Sequence, residues 1–251
     1  IRRLSGHAPG EYDPVRGVVT HSGVNDIALS PSGQMAISGG DDGLVILWNM
    51  VSGTKIRHFE GHSGSVRAVA VSPDGLTVVS GGGSGTSMTE PGELILWDLR
   101  TGQEIRRFEG QKEAIIDIAI SPDGRKVMAS SGEVDYSGAP LFQAYSLLLW
   151  DVETGELIHR FEDIDRDVPS LAINPKGEFA LTASTDHNLY LWDMESGEQL
   201  QTFEGHADLV RTVAFSPGGH RAISGGGDGE VVLWNLEKGE ISARFNAHTA
   251  G

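Results

Sequence analysis

The sequence predicts an all-β fold assembled from five copies of a four-stranded antiparallel unit. Three observations predict it. Five tryptophans, Trp48, Trp97, Trp150, Trp192 and Trp234, are each followed by Asn or Asp, at spacings of 49, 53, 42 and 42 residues. A nearly continuous apolar run, such as Leu-Val-Ile-Leu-Trp at 44–48, leads into each of them. Further upstream in each copy, an apolar stretch ends in a proline–glycine turn. A basal period of 42 residues suits one supersecondary unit of four short strands.

The elements follow in order within each copy. The first strand ends in the turn: Ile-Ala-Leu-Ser-Pro-Ser-Gly at 27–33, with counterparts at 69–75, 118–124, 171–177 and 213–219. Proline pre-sets φ at the second turn position, and glycine takes the positive φ that closes the hairpin. A second strand follows, as at 35–40 and 221–226. The third strand, ending in the tryptophan, is apolar at almost every position, the pattern of a strand buried on both faces. A glycine turn comes next, at Gly53, Gly102, Gly155, Gly197 and Gly239. The fourth strand is more polar, as in Lys-Ile-Arg-His-Phe at 55–59, and reads as the outer, partly solvated one. One such unit cannot bury both of its faces, so the copies must stack.

The Gly-His dipeptides Gly61-His62 and Gly205-His206, together with the five Trp-Asp or Trp-Asn pairs, resemble the WD-repeat β-propeller family over nearly the whole chain. The regular Phe-Glu-Gly-His and Ser-Pro-Asp-Gly motifs resemble those of bacterial WD arrays. The resemblance implies a β-propeller of four-stranded antiparallel blades, with five WD repeats at about 21–60, 61–109, 110–162, 163–204 and 205–247. It implies a single propeller domain or fragment over 1–251, belonging to a larger ring of about seven blades. Residues 1–20 are then expected to form the outer strand of a preceding blade plus an insertion. The chain opens without an initiator Met, so the native N-terminus is expected to lie upstream and targeting is not read from this sequence.

Within the last repeat, His206, Ser224, Asp228 and Trp234 could be read as a hydrolytic triad. In the family that this chain resembles, the same positions form a structural network in which His bridges a Ser hydroxyl and an Asp carboxylate, and the indole donates to it. A nucleophile would need an exposed, strained turn and an oxyanion hole. The other repeats favour the structural reading. The first offers His21, Ser38, Asp42 and Trp48. The second offers His62, Ser80 and Trp97, its Asp position falling in an insertion. The third keeps only Trp150, with Gln111 and Ala129 at the His and Ser positions. The fourth keeps Thr182, Asp186 and Trp192, with Ile164 or a neighbour where His is expected. Packing tolerates such erosion and a catalytic site would not, so a non-enzyme is expected.

The formal net charge is −16, and the densest basic clusters are Arg2-Arg3 and Arg106-Arg107. Nucleic-acid binding rests on Lys and Arg clusters that release counterions, so nucleic acid is a poor partner and a basic protein or peptide a better one. There is no cysteine, and no apolar run reaches the ~18 residues of a membrane helix, so no membrane insertion is expected. No cofactor or metal is expected either. The Gly81–Gly85 run lacks the Gly-Lys-Ser/Thr ending of a phosphate loop. Asp41-Asp42-Gly43 and Asp228-Gly229 lack a twelve-residue calcium pattern. His58, His159 and His187 show no metal-ligand spacing.

Function is expected where the repeats differ. Insertions fall at 8–23, before the first strand of repeat 1, and at 84–93 and 130–146, between the second and third strands of repeats 2 and 3. In an up-and-down blade those connections emerge at one end, and insertions gathered there often mark a binding face. The loop at 130–146 carries Tyr136, Leu141, Phe142 and Tyr145, near an acidic segment at 162–167. The aromatics either anchor a partner or pack on their own blade; the acids either form a binding rim or are simply solvated. The family resemblance adds Asn25, Arg67, Ile116, Pro169 and Arg211, early in each first strand, and Asp41, Thr185 and Gly227, before the network Asp. The expected function is a non-catalytic scaffold binding protein or peptide, together with further propeller blades in the same or another chain. A structural subunit, or an enzyme with a top-face or central-channel site, are the alternatives.

Overall fold

The computed structural model describes residues 4–7, 12–13, 18–19, 23–83, 92–132, 145–161, 164 and 166–246. They form five four-stranded antiparallel sheets and one two-stranded sheet. The small sheet pairs β1 (Tyr12–Asp13) with β2 (Val18–Val19). Blade 1 is β3 (Val24–Leu29), β4 (Met35–Gly40), β5 (Val45–Asn49) and β6 (Thr54–Phe59). Blade 2 is β7 (Ser65–Val71), β8 (Thr77–Gly83), β9 (Glu93–Asp98) and β10 (Glu104–Phe108). Blade 3 is β11 (Ile115–Ile120), β12 (Lys126–Ser131), β13 (Ser146–Asp151) and β14 (Leu157–Arg160). Blade 4 is β15 (Ser170–Ile173), β16 (Phe179–Ala183), β17 (Asn188–Asp193) and β18 (Gln199–Glu204). Blade 5 is β19 (Val210–Phe215), β20 (Arg221–Gly226), β21 (Glu230–Asn235) and β22 (Glu240–Asn246). In every sheet each strand pairs with its neighbours in sequence, the order that short tight turns favour.

The turn chemistry explains the regularity. Gly33, Gly75, Gly124, Gly177 and Gly219 close the first hairpin of each blade at φ of 67, 71, 73, 75 and 73°, where a side chain would strain the backbone. The third strands of blades 1 to 3 are buried along most of their length, as at Val45, Ile46, Leu47 and Trp48 in blade 1 and Leu147 to Trp150 in blade 3, whereas those of blades 4 and 5 bury only Leu189 with Trp192 and Val232 with Trp234.

The chain divides into two compact units, Ile1–Ile118 and Ala119–Gly251. In the first, Ile37, Val45, Leu47 and Phe59 of blade 1 share a core with Val66, Val69, Val78 and Trp97 of blade 2. The approach is close because β4 turns Gly39 toward its neighbour: a Cβ there would lie 2.5 Å from Val66 Cγ1. The half-buried carboxylate of Asp26 crosses the same boundary, accepting from Val69 N at 2.8 Å; partial burial raises its pKa, with its backbone hydrogen bonds pulling the other way. In the second unit, Leu181, Leu189 and Phe203 of blade 4 pack on Val210, Val213 and Trp234 of blade 5. Met128 and Leu149 of blade 3 pack on Leu171 and Trp192 of blade 4.

Candidate functional site

The Ser and Trp of each predicted network are brought together by strand register. Ser224 of β20 lies opposite Val232 and Ala222 opposite Trp234. Residues two apart share a face, so the hydroxyl and the indole meet diagonally. Trp234 Nε1 donates to Ser224 Oγ at 2.8 Å, and His206 Nε2 is 2.7 Å from the same oxygen. His206 Nδ1 lies 2.9 Å from Asp228 Oδ2. That carboxylate also accepts from Ala207 N at 2.9 Å and Glu230 N at 3.0 Å. A neutral imidazole with its proton on Nδ1 satisfies every group in the chain. Burial raises the Asp228 pKa, but the two N–H donors and His206 outweigh it and the net shift is downward. Ser224 is buried, with its hydroxyl bonded to both the imidazole and the indole.

Blade 1 repeats this geometry with a correction. The expected His21 lies outside the described residues, and its place is taken by His7. His7 Nε2 is 2.7 Å from Ser38 Oγ and Nδ1 2.8 Å from Asp42 Oδ1, while Trp48 Nε1 donates to Ser38 Oγ at 2.8 Å. Leu4 packs against the Trp48 cluster. The segment 8–22 is therefore inserted after the network histidine.

Blade 2 departs differently. His62 Nε2 is 2.6 Å from Ser80 Oγ, and Trp97 Nε1 donates to that oxygen at 2.7 Å. The carboxylate comes from Glu93, at the start of β9: Oε2 is 3.2 Å from His62 Nδ1 and accepts from Ser63 N at 2.8 Å. Its other oxygen accepts from Arg107 at 3.2 Å. Burial alone would raise the Glu93 pKa. The hydrogen bonds from His62 and Ser63, with the charges of His62 and Arg107, bring it instead to about 2.

The third and fourth networks are eroded, each in its own way. Ala129 of β12 sits opposite Leu148, the Ser register. Gln111 is buried and donates to the carbonyls of Gly92 and Phe108 at 2.8 Å. In blade 4, Trp192 Nε1 donates to Thr182 Oγ1 at 2.9 Å. Asp186 has a tyrosine in place of a histidine: Tyr190 OH donates to its Oδ2 at 2.5 Å. A cavity of about 100 Å³ remains beside Ile164, Asp186, Tyr190 and Trp192. His7, Glu93 and Tyr190 are the network residues that the sequence did not single out.

The candidate partner residues share one structural device. The pairing of β3 with β4 shifts register between Val24 and Asp26, that of β7 with β8 between Val66 and Ala68, and that of β19 with β20 between Val210 and Thr212. Asn25, Arg67 and Arg211 are thus the extra residues of three β-bulges, which turn a side chain out of the regular alternation. Asn25 is exposed and ties two elements, donating to Asp41 Oδ1 at 2.8 Å and to Val66 O at 2.9 Å. Arg211 is exposed; Arg67, Asp41, Thr185 and Tyr145 are half-buried. Tyr136 and Phe142 lie outside the described residues. Among the described residues, no cluster of His, Asp or Glu could hold a metal ion, and no helix is long and apolar enough to cross a membrane.

Four-stranded blades, each carrying its Trp at the end of the third strand, define a repeat protein of the propeller class. The chain belongs to the WD40 family (WD domain, G-beta repeat), which matches residues 12–49, 53–88, 155–193 and 197–235. The stretch between the second and third matches holds the longer of the two insertions between second and third strands and the most eroded network. Among its relatives is the bovine serine-threonine kinase receptor-associated protein, 27% identical over 34% of this chain and 24% of that protein. The periodic tryptophan protein 2 homolog of Dictyostelium discoideum is 28% identical over 65% of this chain and 16% of its own length. The small ribosomal subunit protein RACK1z of Arabidopsis thaliana is 40% identical over 22% of this chain and 16% of its own length. The chain spans about a quarter or less of these relatives.

Proposed function

We propose that this chain is a non-catalytic protein–protein interaction scaffold, holding partners through the bulge residues and the loops at the same end of each blade. The observation that carries the reading is the internal use of its reactive groups. In blades 1, 2 and 5 the Ser hydroxyl is buried and bonded to both a histidine and an indole. The repeated residues are spent on holding each blade together. Asn25, Arg67 and Arg211 sit on bulges and take no part in that network. The acidic charge of −16 favours a basic protein or peptide over nucleic acid.

Further blades are part of the same proposal. Val24, Ile27 and Leu29 of blade 1 are 53, 69 and 61% exposed, whereas Val66 and Val69, at the matching positions of blade 2, are 0 and 5%. An apolar strip of this kind calls for a covering surface, and a blade covers it in the neighbouring repeat. The names of the relatives, a receptor-associated protein and a ribosomal subunit protein, fit a component of assemblies.

Crosslinking of the native full-length protein in its cell of origin, read by mass spectrometry, tests the scaffold. Crosslinks from the bulge-bearing ends to defined proteins are expected, and Arg67→Glu with Arg211→Glu should reduce them. A protein that crosslinks to nothing, or whose Ser38, Ser80 or Ser224 is labelled by a fluorophosphonate, overturns the reading.

A further inference from the structure

A second surface lies at the opposite end of the blades, where the proline–glycine turns are. One residue before the tryptophan, the third strand carries a leucine in every blade. Leu47, Leu96 and Leu149 of blades 1 to 3 are sealed, at 3, 3 and 0% exposure. Leu191 of blade 4 is only half-buried. It opens into a pocket of about 310 Å³ between blades 4 and 5, with Phe179, Leu191, Phe215 and Leu236 as its apolar lining. Glu178 and Glu237 stand among its polar lining residues, with Lys176 and with His220, which is 2.9 Å from Glu237.

The turn of blade 5 carries no side chain at this spot. Blades 2 and 3 place Asp74 and Asp123 in the turn, each accepting from a serine hydroxyl at 2.5 Å. Blade 5 has Gly218 there, and it lines the pocket. A Cβ on Gly218 would meet only His220 Cδ2, at 3.6 Å, so the position is open space beside the pocket.

Size and charge say what fits. A volume of about 310 Å³ is at the lower limit of small-molecule clefts, and its lining combines four apolar side chains with the polar Asn174, Lys176, Glu178, His220 and Glu237, a mixture that suits an apolar group flanked by charges. The surrounding unit is the acidic one. Residues 119–251 contain 21 Asp and Glu against 9 Lys and Arg, while residues 1–118 contain 14 against 10. We propose that this pocket seats one apolar side chain, a leucine or phenylalanine, of a partner segment with basic residues on either side of it. The apolar group fills the space over Leu191, and the flanking cations meet Glu178, Glu237 and the acidic surface around them. The proposal rests on the protein-binding reading above and assigns it a contact at the other end of the blades.

The test is fluorescence anisotropy with a labelled peptide, Lys-Arg-Leu-Arg-Lys, titrated with this chain. Saturable binding is expected. Replacing the peptide's Leu by Ser should weaken it about tenfold or more, the scale of burying one leucine side chain. Gly218→Trp, which fills the open space, should do the same while leaving the melting midpoint unchanged. The double variant Glu178→Lys, Glu237→Lys should weaken binding several-fold and flatten its salt dependence, and it keeps the test open should Gly218→Trp fail to fold. Arg67→Glu with Arg211→Glu should change nothing. Absence of saturable binding, or binding indifferent to the Leu-to-Ser change and to the chain variants, overturns the pocket. A protein that crosslinks to partners yet ignores this peptide keeps the scaffold role and loses the pocket; one that does neither loses both.

Discussion

Blades 2 and 5 carry the same network with a different division of labour. In blade 5, Asp228 holds the histidine, and Glu230, four residues before Trp234, is left to pair with Arg244 at 2.5 Å. In blade 2 the residue four before Trp97 is Glu93, and it does both jobs, meeting His62 with one oxygen and Arg107 with the other. Arg107 and Arg244 are themselves equivalent, donating to Gly61 O and Gly205 O respectively. The loop between β8 and β9 is longer by seven residues than that of blade 5. A proline, Pro91, stands where the Asp would be. The difference teaches that the network requires a carboxylate at one point in space, whatever its place in the chain.

At the tryptophans blades 2 and 5 should behave alike. Trp97 packs against Phe59 with ring centres 5.7 Å apart and planes tilted by 59°, and Trp234 meets Phe203 edge to face at 5.7 Å. Both are buried. Trp97→Ala and Trp234→Ala should each cost ~3–5 kcal/mol in a denaturant melt. A cost near zero for either would mean that its blade is not held by the indole.

The next effect should separate the blades. Glu93→Gln leaves Arg107 without this carboxylate and weakens the anchor of a buried histidine, at about 1–3 kcal/mol. The pH dependence gives it a signature. Glu93 ionises at about 2 in the fold against an ordinary 4.5. Its contribution to stability is therefore complete above the unfolded value and is lost as pH falls from 4.5 toward 2. The stability gap between the parent and Glu93→Gln should be constant above that window and close within it. A gap that does not change with pH would assign the loss to packing.

Much of the fold was legible because each element has its own local cause. The turn glycines need positive φ, the third strands need two apolar faces, and the period counts the blades. The network was legible wherever its members kept their spacing, as in His206, Ser224, Asp228 and Trp234. It failed where chain length intervened. His21 stands three residues before Val24, close to the four that separate His62 from Val66 and His206 from Val210, so counting back from the strand selects it. The better signal was the segment before it. Leu4 and Gly6 precede His7 as Phe59 and Gly61 precede His62. Glu93 was hidden for another reason: Glu230 occupies the same column and does not touch the histidine there. Tyr190 was visible only as a polar aromatic in a column otherwise filled by Ile46, Ile95, Leu148 and Val232. No rule of spacing says that its hydroxyl reaches back to Asp186. The bulges that turn out Asn25, Arg67 and Arg211 have no residue signature of their own.

That correction carries its own test. His7→Ala should cost ~1–3 kcal/mol, since it leaves Ser38 and Asp42 without their shared partner, and His21→Ala should cost little. Equal effects in a thermal melt would return His21 to the network.

The smallest effect sharpens the original comparison. Glu230→Gln removes the partner of Arg244, an exposed pair with side chains 39 and 27% accessible. Such pairs are worth ~0–1 kcal/mol and fade with salt. Asp228 still holds His206, so the network of blade 5 survives the change, whereas the same substitution at Glu93 strips blade 2 of its only described carboxylate on His62. Measured side by side in low and high salt, Glu230→Gln should lose its small cost as salt rises, and Glu93→Gln should keep most of its own. If the two substitutions proved equal and equally salt-sensitive, Glu93 would be a surface ion-pair partner as Glu230 is, and the carboxylate of blade 2 would have no structural role.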